Sequence, residues 1–258
     1  MIMEERIRNK LREIEEKEQV KILYCVESGS RAWGFASPDS DYDVRFIYVR
    51  PKEFYLRLNK GRDVIEWQLD DTLDINGWDI QKAFLLLYKS NPTLFEWNAS
   101  PIVYKTTREW DKISKLLKNY FSVKATLCHY FHMAKRNFYE NFKGETVCLK
   151  KYFYVLRPLL ACEWVLERGT PSPILFKTLV DEYLDGDLKA DVEALLDKKM
   201  NAPEFGEGAR YSRLDKYIEK SMARVEEILQ KMPECHNHVW DELNSIFLSL
   251  VENYEDLQ

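Results

Sequence analysis

A short apolar run that stops at a glycine-serine turn constrains the fold more than any other feature. Residues 20–26 read VKILYCV, a compact sequence with the character of a buried strand. The residues ESGS at 27–30 break this run, and a second apolar stretch at 42–49 ends before Pro51. Residues 63–69 and 73–75 read as two further strands, the last ended by Asn76-Gly77. The first third of the chain therefore predicts a β-sheet.

Helical spacing dominates the rest of the chain. Residues 4–18 predict an amphipathic helix that precedes the first strand, and the pattern becomes helical again after Trp78. The remaining predicted helices cover residues 80–89, 92–99, 107–119, 122–142, 146–168, 172–184, 187–200, 211–232 and 236–254. The shift in pattern near Pro101 is the best boundary, so we predict an α/β domain over residues 1–105 and a helical domain over residues 106–258.

Composition excludes several classes of protein. The net charge of −5 is unfavourable for sequence-independent binding to a long DNA duplex, which needs a strongly basic surface. The five cysteines are widely scattered and read as reduced thiols, and Cys235, His236 and His238 lack the second ligand pair of a zinc site. The charged N-terminus is unlike a signal peptide, and no apolar run approaches the ~20 residues of a membrane span. We expect a cytoplasmic protein without a membrane partner.

The chemistry is concentrated between residues 26 and 43. Gly29 lets the backbone approach a ligand closely, and the backbone N–H groups that follow it, with the Ser30 hydroxyl, can cradle an anion. Asp41 and Asp43 follow at a predicted loop–strand junction, and residues two apart in a strand share a face. Adjacent carboxylates repel unless a cation lies between them, and Mg²⁺ favours such oxygen ligands. By itself, an Asp-x-Asp pair also occurs as a turn former or helix cap.

These residues resemble the polymerase-beta nucleotidyltransferase superfamily, whose pattern is a strand, Gly-Ser, a gap of about nine to thirteen residues, and Asp-x-Asp. The longer segments GSRAWGFASPDSDYDVRFIYVRP, LDINGWDIQKAFLLLYKSNP and KKYFYVLRPLLA resemble more narrowly the family of predicted nucleotidyltransferases, some of which are linked to RNA repair alongside an RNA ligase. The resemblance covers residues 22 to 165. It implies an α+β fold, with a polymerase-beta-like α/β unit built on a mixed sheet and an all-helical C-terminal domain.

The resemblance also implies further site residues. The superfamily places a third carboxylate on a later strand between apolar residues, which favours Asp74. Asp79 is the alternative, but its position also suits the N-cap of a helix. Arg31 follows the Gly-Ser turn and is a candidate contact for phosphate, and related helical domains supply a cation that Lys151 would provide. Arg45 shares a strand face with Asp43, so it could pair with an aspartate or with a phosphate.

The leading hypothesis from the sequence is a nucleotidyltransferase that uses Mg²⁺ or Mn²⁺. It would transfer a nucleoside monophosphate from a nucleoside triphosphate to a hydroxyl and release pyrophosphate. In this hypothesis Asp41, Asp43 and Asp74 hold the metal, while Gly29, Ser30, Arg31 and Lys151 bind the triphosphate. The acceptor stays open among an RNA end, a protein hydroxyl and a small molecule. The alternatives are a regulatory module that binds nucleotide without turnover and a structural interaction protein.

Overall fold

The computed structural model describes residues 3–70, 72–201, 206–233 and 239–257, with only the backbone at residues 68–70. The Cys235, His236 and His238 group lies outside this part of the chain. The first half contains, in order, α1 (Met3–Glu18), β1 (Lys21–Glu27), α2 (Gly29–Ala32), β2 (Tyr42–Val49), α3 (Lys52–Tyr55), β3 (Val64–Asp70), β4 (Leu73–Asp79), α4 (Ile80–Tyr88), α5 (Pro92–Asn98), β5 (Val103–Thr106) and α6 (Arg108–Leu116). The second half continues with α7 (Val123–Asn141), β6 (Thr146–Cys148), α8 (Lys150–Arg168), α9 (Phe176–Tyr183), α10 (Gly186–Asn201), β7 (Glu207–Ala209), α11 (Ser212–Lys231) and α12 (Trp240–Glu252), and single 3₁₀ turns follow α6 and α12 at Leu117–Tyr120 and Tyr254–Asp256.

The chain forms two compact units whose bounds differ from the predicted division at residue 105. The first unit comprises Met1–Ala32, Asp41–Tyr120 and Asn237–Gln258, and the second comprises Trp33–Ser40 and Phe121–His236. Helix α6 belongs with the sheet, because the Trp110 ring stacks on Tyr24 of β1 with centroids 4.4 Å apart. Helix α12 also returns to the first unit, where it packs on α4.

The sheet of the first unit is mixed, as predicted, with strand order β3-β4-β2-β1-β5. Strands β2 and β4 run parallel, and the other neighbouring pairs are antiparallel. The parallel register places Asp43 opposite Asp74 and Tyr48 opposite Asp79. Because strand side chains alternate between faces, this register decides which acidic residues can meet across β2 and β4.

Both faces of the sheet are covered. Ile7, Leu11 and Ile14 of α1 are buried in one cluster with Cys25 and Phe46 of the sheet, which is the amphipathic packing expected from the charged sequence of α1. Helices α4 and α6 pack on β2 and β1. The covered faces explain why β1 is buried throughout except at its first residue.

The second unit is mainly helical, and its core centres on α8. This helix packs against α7, α9 and α11. The short segment Trp33–Ser40, which lies between the Gly-Ser turn and Asp41 in sequence, contributes Phe35 to the same core, where its ring meets Phe153 and Phe176. The gap within the predicted motif is therefore part of the second unit.

One strand was not predicted, and two local predictions were wrong. Residues 103–106 form strand β5, which pairs with β1. Residues 146–148 pair with β7, although we expected helix from residue 146. Strand β4 also continues through Asn76-Gly77 instead of ending there. The reason is packing across strands: Gly77 lies opposite Phe46, and a Cβ at Gly77 would come within 2.2 Å of the Phe46 ring. Gly77 therefore makes room for that ring within the sheet.

Within the described ranges, none of the helices combines the length and the apolar character needed to cross a membrane.

Candidate active site

The turn after β1 brings its backbone against the first strand aspartate. Gly29 has a φ of +58°, which is the left-handed region that glycine adopts at little cost. A Cβ at this position would lie 2.0 Å from Oδ2 of Asp43, so the carboxylate packs directly against the glycine. Ser30 follows within α2, which is only one helical turn, and is partly buried. Gly29 is therefore required both by the backbone and by the position of Asp43.

Asp43 and Asp74 lie side by side on neighbouring parallel strands. Their residues are direct partners in the β2–β4 register. Burial raises the pKa of Asp43, the Arg45 guanidinium lowers it, and the negative charges of Asp74 and Asp41 raise it again. Asp41 precedes β2 and is exposed, so it lies just outside the strand on which we had expected both aspartates. The three carboxylates therefore form one interacting acidic group.

Arg45 bridges two of these carboxylates, which confirms that it pairs with aspartate. Its Nη2 donates to Oδ1 of Asp43 at 2.9 Å and to Oδ2 of Asp74 at 2.8 Å. Its Nη1 donates to the backbone oxygens of Val44 and Asp74 at 3.0 and 3.2 Å. The guanidinium side chain is 19% exposed. Such charge-assisted contacts fix both the arginine and the spacing of the two aspartates.

Sequence reasoning missed Glu27, the last residue of β1. It is fully buried, and its Oε1 accepts a hydrogen bond from the Asp43 backbone N–H at 2.7 Å. Its Oε2 accepts from the Tyr104 hydroxyl at 2.5 Å, and Ser100 Oγ donates to its backbone oxygen at 2.6 Å. Burial raises the pKa of Glu27, while the bonds from Tyr104 and Asp43 lower it. Glu27 therefore fixes the backbone that carries Asp43.

The only sequence signal for this role was a charged residue at the end of an otherwise apolar strand. A carboxylate is rarely fully buried unless it is paired or hydrogen-bonded, so its position in VKILYCVE was informative. Its partners could not be read from the sequence, because Tyr104 lies 77 residues away on an unpredicted strand.

Arg31 lies beside the aspartates but is engaged with the backbone. Its Nε donates to the Asp41 carbonyl oxygen at 3.0 Å, and its guanidinium lies 3.6 Å from the centroid of the Tyr42 ring. These contacts hold the segment that leads into β2. Contact between Arg31 and phosphate stays a prediction.

The remaining two candidates are Asp79 and Lys151. Asp79 is at the other end of β4, where it is 1% exposed and caps α4 by accepting from the Gln81 N–H at 2.8 Å. The Tyr55 hydroxyl donates to its second oxygen at 3.0 Å. Lys151 belongs to the second unit, in the first turn of α8, with its ammonium 5.5 Å from the centroid of the Tyr154 ring. Asp79 thus has the structural role of a helix cap, and phosphate binding by Lys151 stays a prediction.

The acidic group has the chemistry that a divalent metal requires. Asp41, Asp43 and Asp74 offer hard oxygen ligands, and burial together with the negative charges of Asp74 and Asp41 raises the pKa of Asp43. Across the residues that the structure describes, no group of three or more His, Cys, Asp or Glu side chains has a ready-made ligand arrangement. Arg45 now contacts an oxygen of both Asp43 and Asp74. The carboxylate oxygens of these aspartates are suitable ligands for a divalent metal. In the structure, two of the three carboxylates are arranged around the Arg45 guanidinium.

The chain is similar to a family profile, a protein of known sequence and a solved structure. The profile of the RNA repair pathway DNA polymerase beta family matches residues 3–249. The uncharacterized protein YcgL of Bacillus subtilis (strain 168) is 44% identical over 254 residues, which are 97% of this chain and 97% of YcgL. The crystal structure of a nucleotidyltransferase-like protein from Exiguobacterium sibiricum 255-15 aligns with a TM-score of 0.32 and 14% identity, over 98% of this chain and 89% of that one.

The family match extends beyond the Gly-Ser and Asp-x-Asp segment on which the resemblance was first based. It spans the sheet unit, the helical unit and most of α12. The resemblance to the polymerase-beta superfamily and to its RNA-repair branch is therefore confirmed, and the chain belongs to the RNA repair pathway DNA polymerase beta family.

Proposed function

We propose that this protein is a metal-dependent nucleotidyltransferase that moves a nucleoside monophosphate from a nucleoside triphosphate to a hydroxyl group. The observation that carries the proposal is the pairing of Asp43 with Asp74 across parallel strands, with Gly29 packed against the Asp43 carboxylate. Two carboxylates on neighbouring strands, beside a Gly-Ser turn, suit a metal-bound triphosphate.

The reaction is a displacement at phosphorus. The acceptor hydroxyl oxygen forms a bond to the α-phosphorus, and the bond from that phosphorus to the bridging oxygen breaks, so that pyrophosphate leaves. Asp41, Asp43 and Asp74 would supply ligand oxygens to Mg²⁺ or Mn²⁺, and Asp74 would also accept the hydroxyl proton. When bound, the metal orients the attacking oxygen and stabilises the charge on the leaving group.

The other residues would position these groups. Glu27 and Arg31 hold the backbone on either side of Tyr42 by the contacts to Asp43 and Asp41 described above. Ser30, beside Gly29, would donate its hydroxyl to a phosphate oxygen. Lys151 would add a positive charge for the triphosphate, in the role that the family resemblance implies.

We propose an RNA end as the acceptor. The support comes from the RNA repair pathway named in the family description. A protein hydroxyl and a small molecule remain the competing acceptors for the same chemistry.

The test is pyrophosphate release and label transfer from each of the four α-labelled triphosphates, with Mg²⁺ or Mn²⁺ and separate RNA, protein and small-molecule acceptors. We expect label on the RNA, and a loss of about 10²-fold or more in Asp43→Asn and in Asp74→Asn. Asp79→Asn is the matched control, because it changes a carboxylate of the same strand at its other end. It should retain transfer.

Two results would overturn parts of this proposal. Activity that survives Asp74→Asn but is lost in Asp79→Asn would show that the third carboxylate is misassigned. Tight triphosphate binding without pyrophosphate release, for every acceptor and both metals, would favour the non-catalytic regulatory module instead.

A further inference from the structure

The position of Arg45 leads to an inference about how the site changes when substrate binds. One nitrogen of this side chain contacts an oxygen of Asp43 and an oxygen of Asp74 at distances below 3 Å. Arg45 therefore bridges the two carboxylates as a cation between them would.

The two oxygens of Asp43 have different neighbours. Oδ2 packs against Gly29, where an added Cβ would come within 2.0 Å, while Oδ1 receives the bond from Arg45. A Mg²⁺ ion takes ligand oxygens at about 2.0–2.1 Å in near-octahedral geometry. A cation held by Asp43 and Asp74 would lie close to the Arg45 guanidinium, which bonds one oxygen of each aspartate, so its charge would repel the guanidinium.

We propose that Arg45 is a resident counter-ion, which neutralises Asp43 and Asp74 until a metal–triphosphate complex displaces it from at least one of them. This inference rests on the proposed function. Its consequence is that metal alone binds weakly, because it must displace a fixed charge-assisted contact. Metal that arrives with a triphosphate binds more tightly, because the released guanidinium gains phosphate oxygens as new acceptors for its planar set of donors.

The geometry makes this release feasible. Arg45 lies on β2 two residues beyond Asp43, and part of its side chain, 19%, is exposed to solvent. Two of its four hydrogen bonds go to backbone oxygens of Val44 and Asp74 through Nη1. Half of the hydrogen bonds of the guanidinium therefore do not depend on the two carboxylates.

The experiment measures Mn²⁺ binding by electron paramagnetic resonance of the free ion, first without nucleotide and then with a non-hydrolysable triphosphate. The full-length wild type is compared with Arg45→Met, which keeps the length of the side chain and removes its charge. We expect Arg45→Met to bind Mn²⁺ alone about tenfold or more tightly than the wild type, the equivalent of one charged hydrogen bond. The nucleotide should then raise Mn²⁺ affinity less in Arg45→Met than in the wild type.

Arg31→Met is the matched control, because it removes a positive charge near the aspartates whose Nε bonds the backbone oxygen of Asp41. Its effect on Mn²⁺ binding without nucleotide should be smaller, below about threefold. Adding Asp43→Asn to Arg45→Met should abolish the gain in affinity. If Arg45→Met does not fold, Arg45→Lys is used, which keeps the charge but cannot reproduce the planar bridge, and an increase in Mn²⁺ affinity is again expected.

Mn²⁺ affinity in Arg45→Met that is equal to or weaker than in the wild type would overturn the inference, because Arg45 would then only position the aspartates. The transfer assay separates this failure from failure of the proposed function. Wild-type transfer with unchanged Mn²⁺ binding in the variant refutes only the counter-ion role. Tighter Mn²⁺ binding in the variant without any wild-type transfer supports the counter-ion role and refutes the enzyme.

Discussion

Replacement of Gly29 by alanine should damage both the stability of the fold and the position of Asp43. The left-handed φ of +58° costs an alanine roughly 1–2 kcal/mol. The new Cβ would also stand 2.0 Å from Asp43 Oδ2 and 2.9 Å from its Cγ, so the carboxylate must move. If the bond to Arg45 is lost, the cost rises by about 1.5–3 kcal/mol. We expect a total loss of about 3–5 kcal/mol in the free energy of unfolding.

Urea unfolding of two matched variants can separate the two contributions. Gly169→Ala has the same kind of backbone penalty, with φ +63°, but a Cβ there meets nothing within 4 Å. It should therefore cost only roughly 1–2 kcal/mol. In an Asp43→Ala background the clash with the carboxylate disappears. Gly29→Ala should then lower the free energy of unfolding no more than Gly169→Ala does. The double-mutant cycle of Gly29→Ala and Asp43→Ala should therefore report the free energy of the clash.

Transfer activity gives an independent measure of the same displacement. A shift of Asp43 by about 1 Å should lower the rate about 10²-fold. Equal unfolding costs for Gly29→Ala and Gly169→Ala in the wild-type background would refute the reasoning, because Asp43 would then be free to move away at no cost.

Three further predictions concern residues around the sheet. Burial raises the pKa of Asp79 from 3.8 to about 6, so the folded protein binds this proton more tightly than the unfolded chain, and the free energy of unfolding falls as pH rises between those values. Urea titrations from about pH 4 to about pH 7 should show the wild type losing up to about 3 kcal/mol more than Asp79→Asn, and parallel pH profiles would contradict this. Glu27→Ala leaves the Asp43 N–H and the Tyr104 hydroxyl without their acceptor, so the free energy of unfolding should fall by about 2–4 kcal/mol. Glu27→Gln keeps an acceptor oxygen and should lower it less. Equal losses for the two variants in urea unfolding would argue against the hydrogen-bond role. Trp110→Ala should lower the free energy of unfolding by about 3–5 kcal/mol, measured by thermal unfolding, because the Trp110 ring is 2% exposed and stacks on Tyr24. Trp164 lies on the partly exposed face of α8, so Trp164→Ala should lower it much less.

The elements that local sequence patterns specify were predicted well. The apolar run before the Gly-Ser turn is β1, the stretch from Tyr42 to Val49 is β2, and the helical spacing of Ile7, Leu11 and Ile14 marks the buried face of α1. In each case the signal lies within the segment itself, as an apolar run or as the spacing of its apolar residues. Such patterns predict the element correctly because they depend only on the local geometry of a strand or helix.

Features that depend on distant partners could not be predicted. Strand β5 has only four residues and is defined by its pairing with β1. Gly77 reads as a turn residue, yet the ring of Phe46 keeps it within a strand. Phe35 reads as part of a motif loop but belongs to the core of the second unit. Tertiary packing outweighs the local preference at each of these positions.

The arrangement of the acidic site depends both on local strand periodicity and on pairing between distant strands. Strand periodicity alone places Asp43 and Arg45 on one face, but only the parallel register of β2 and β4 brings Asp74 to the same guanidinium. With three carboxylates against one bridging arginine, the group keeps an excess of negative charge, which is one reason that the pKa of Asp43 is raised. A structural ion pair would need no such excess. The imbalance, fixed by the buried Glu27 behind Asp43 and by Gly29 beside it, favours a site organised to receive additional positive charge.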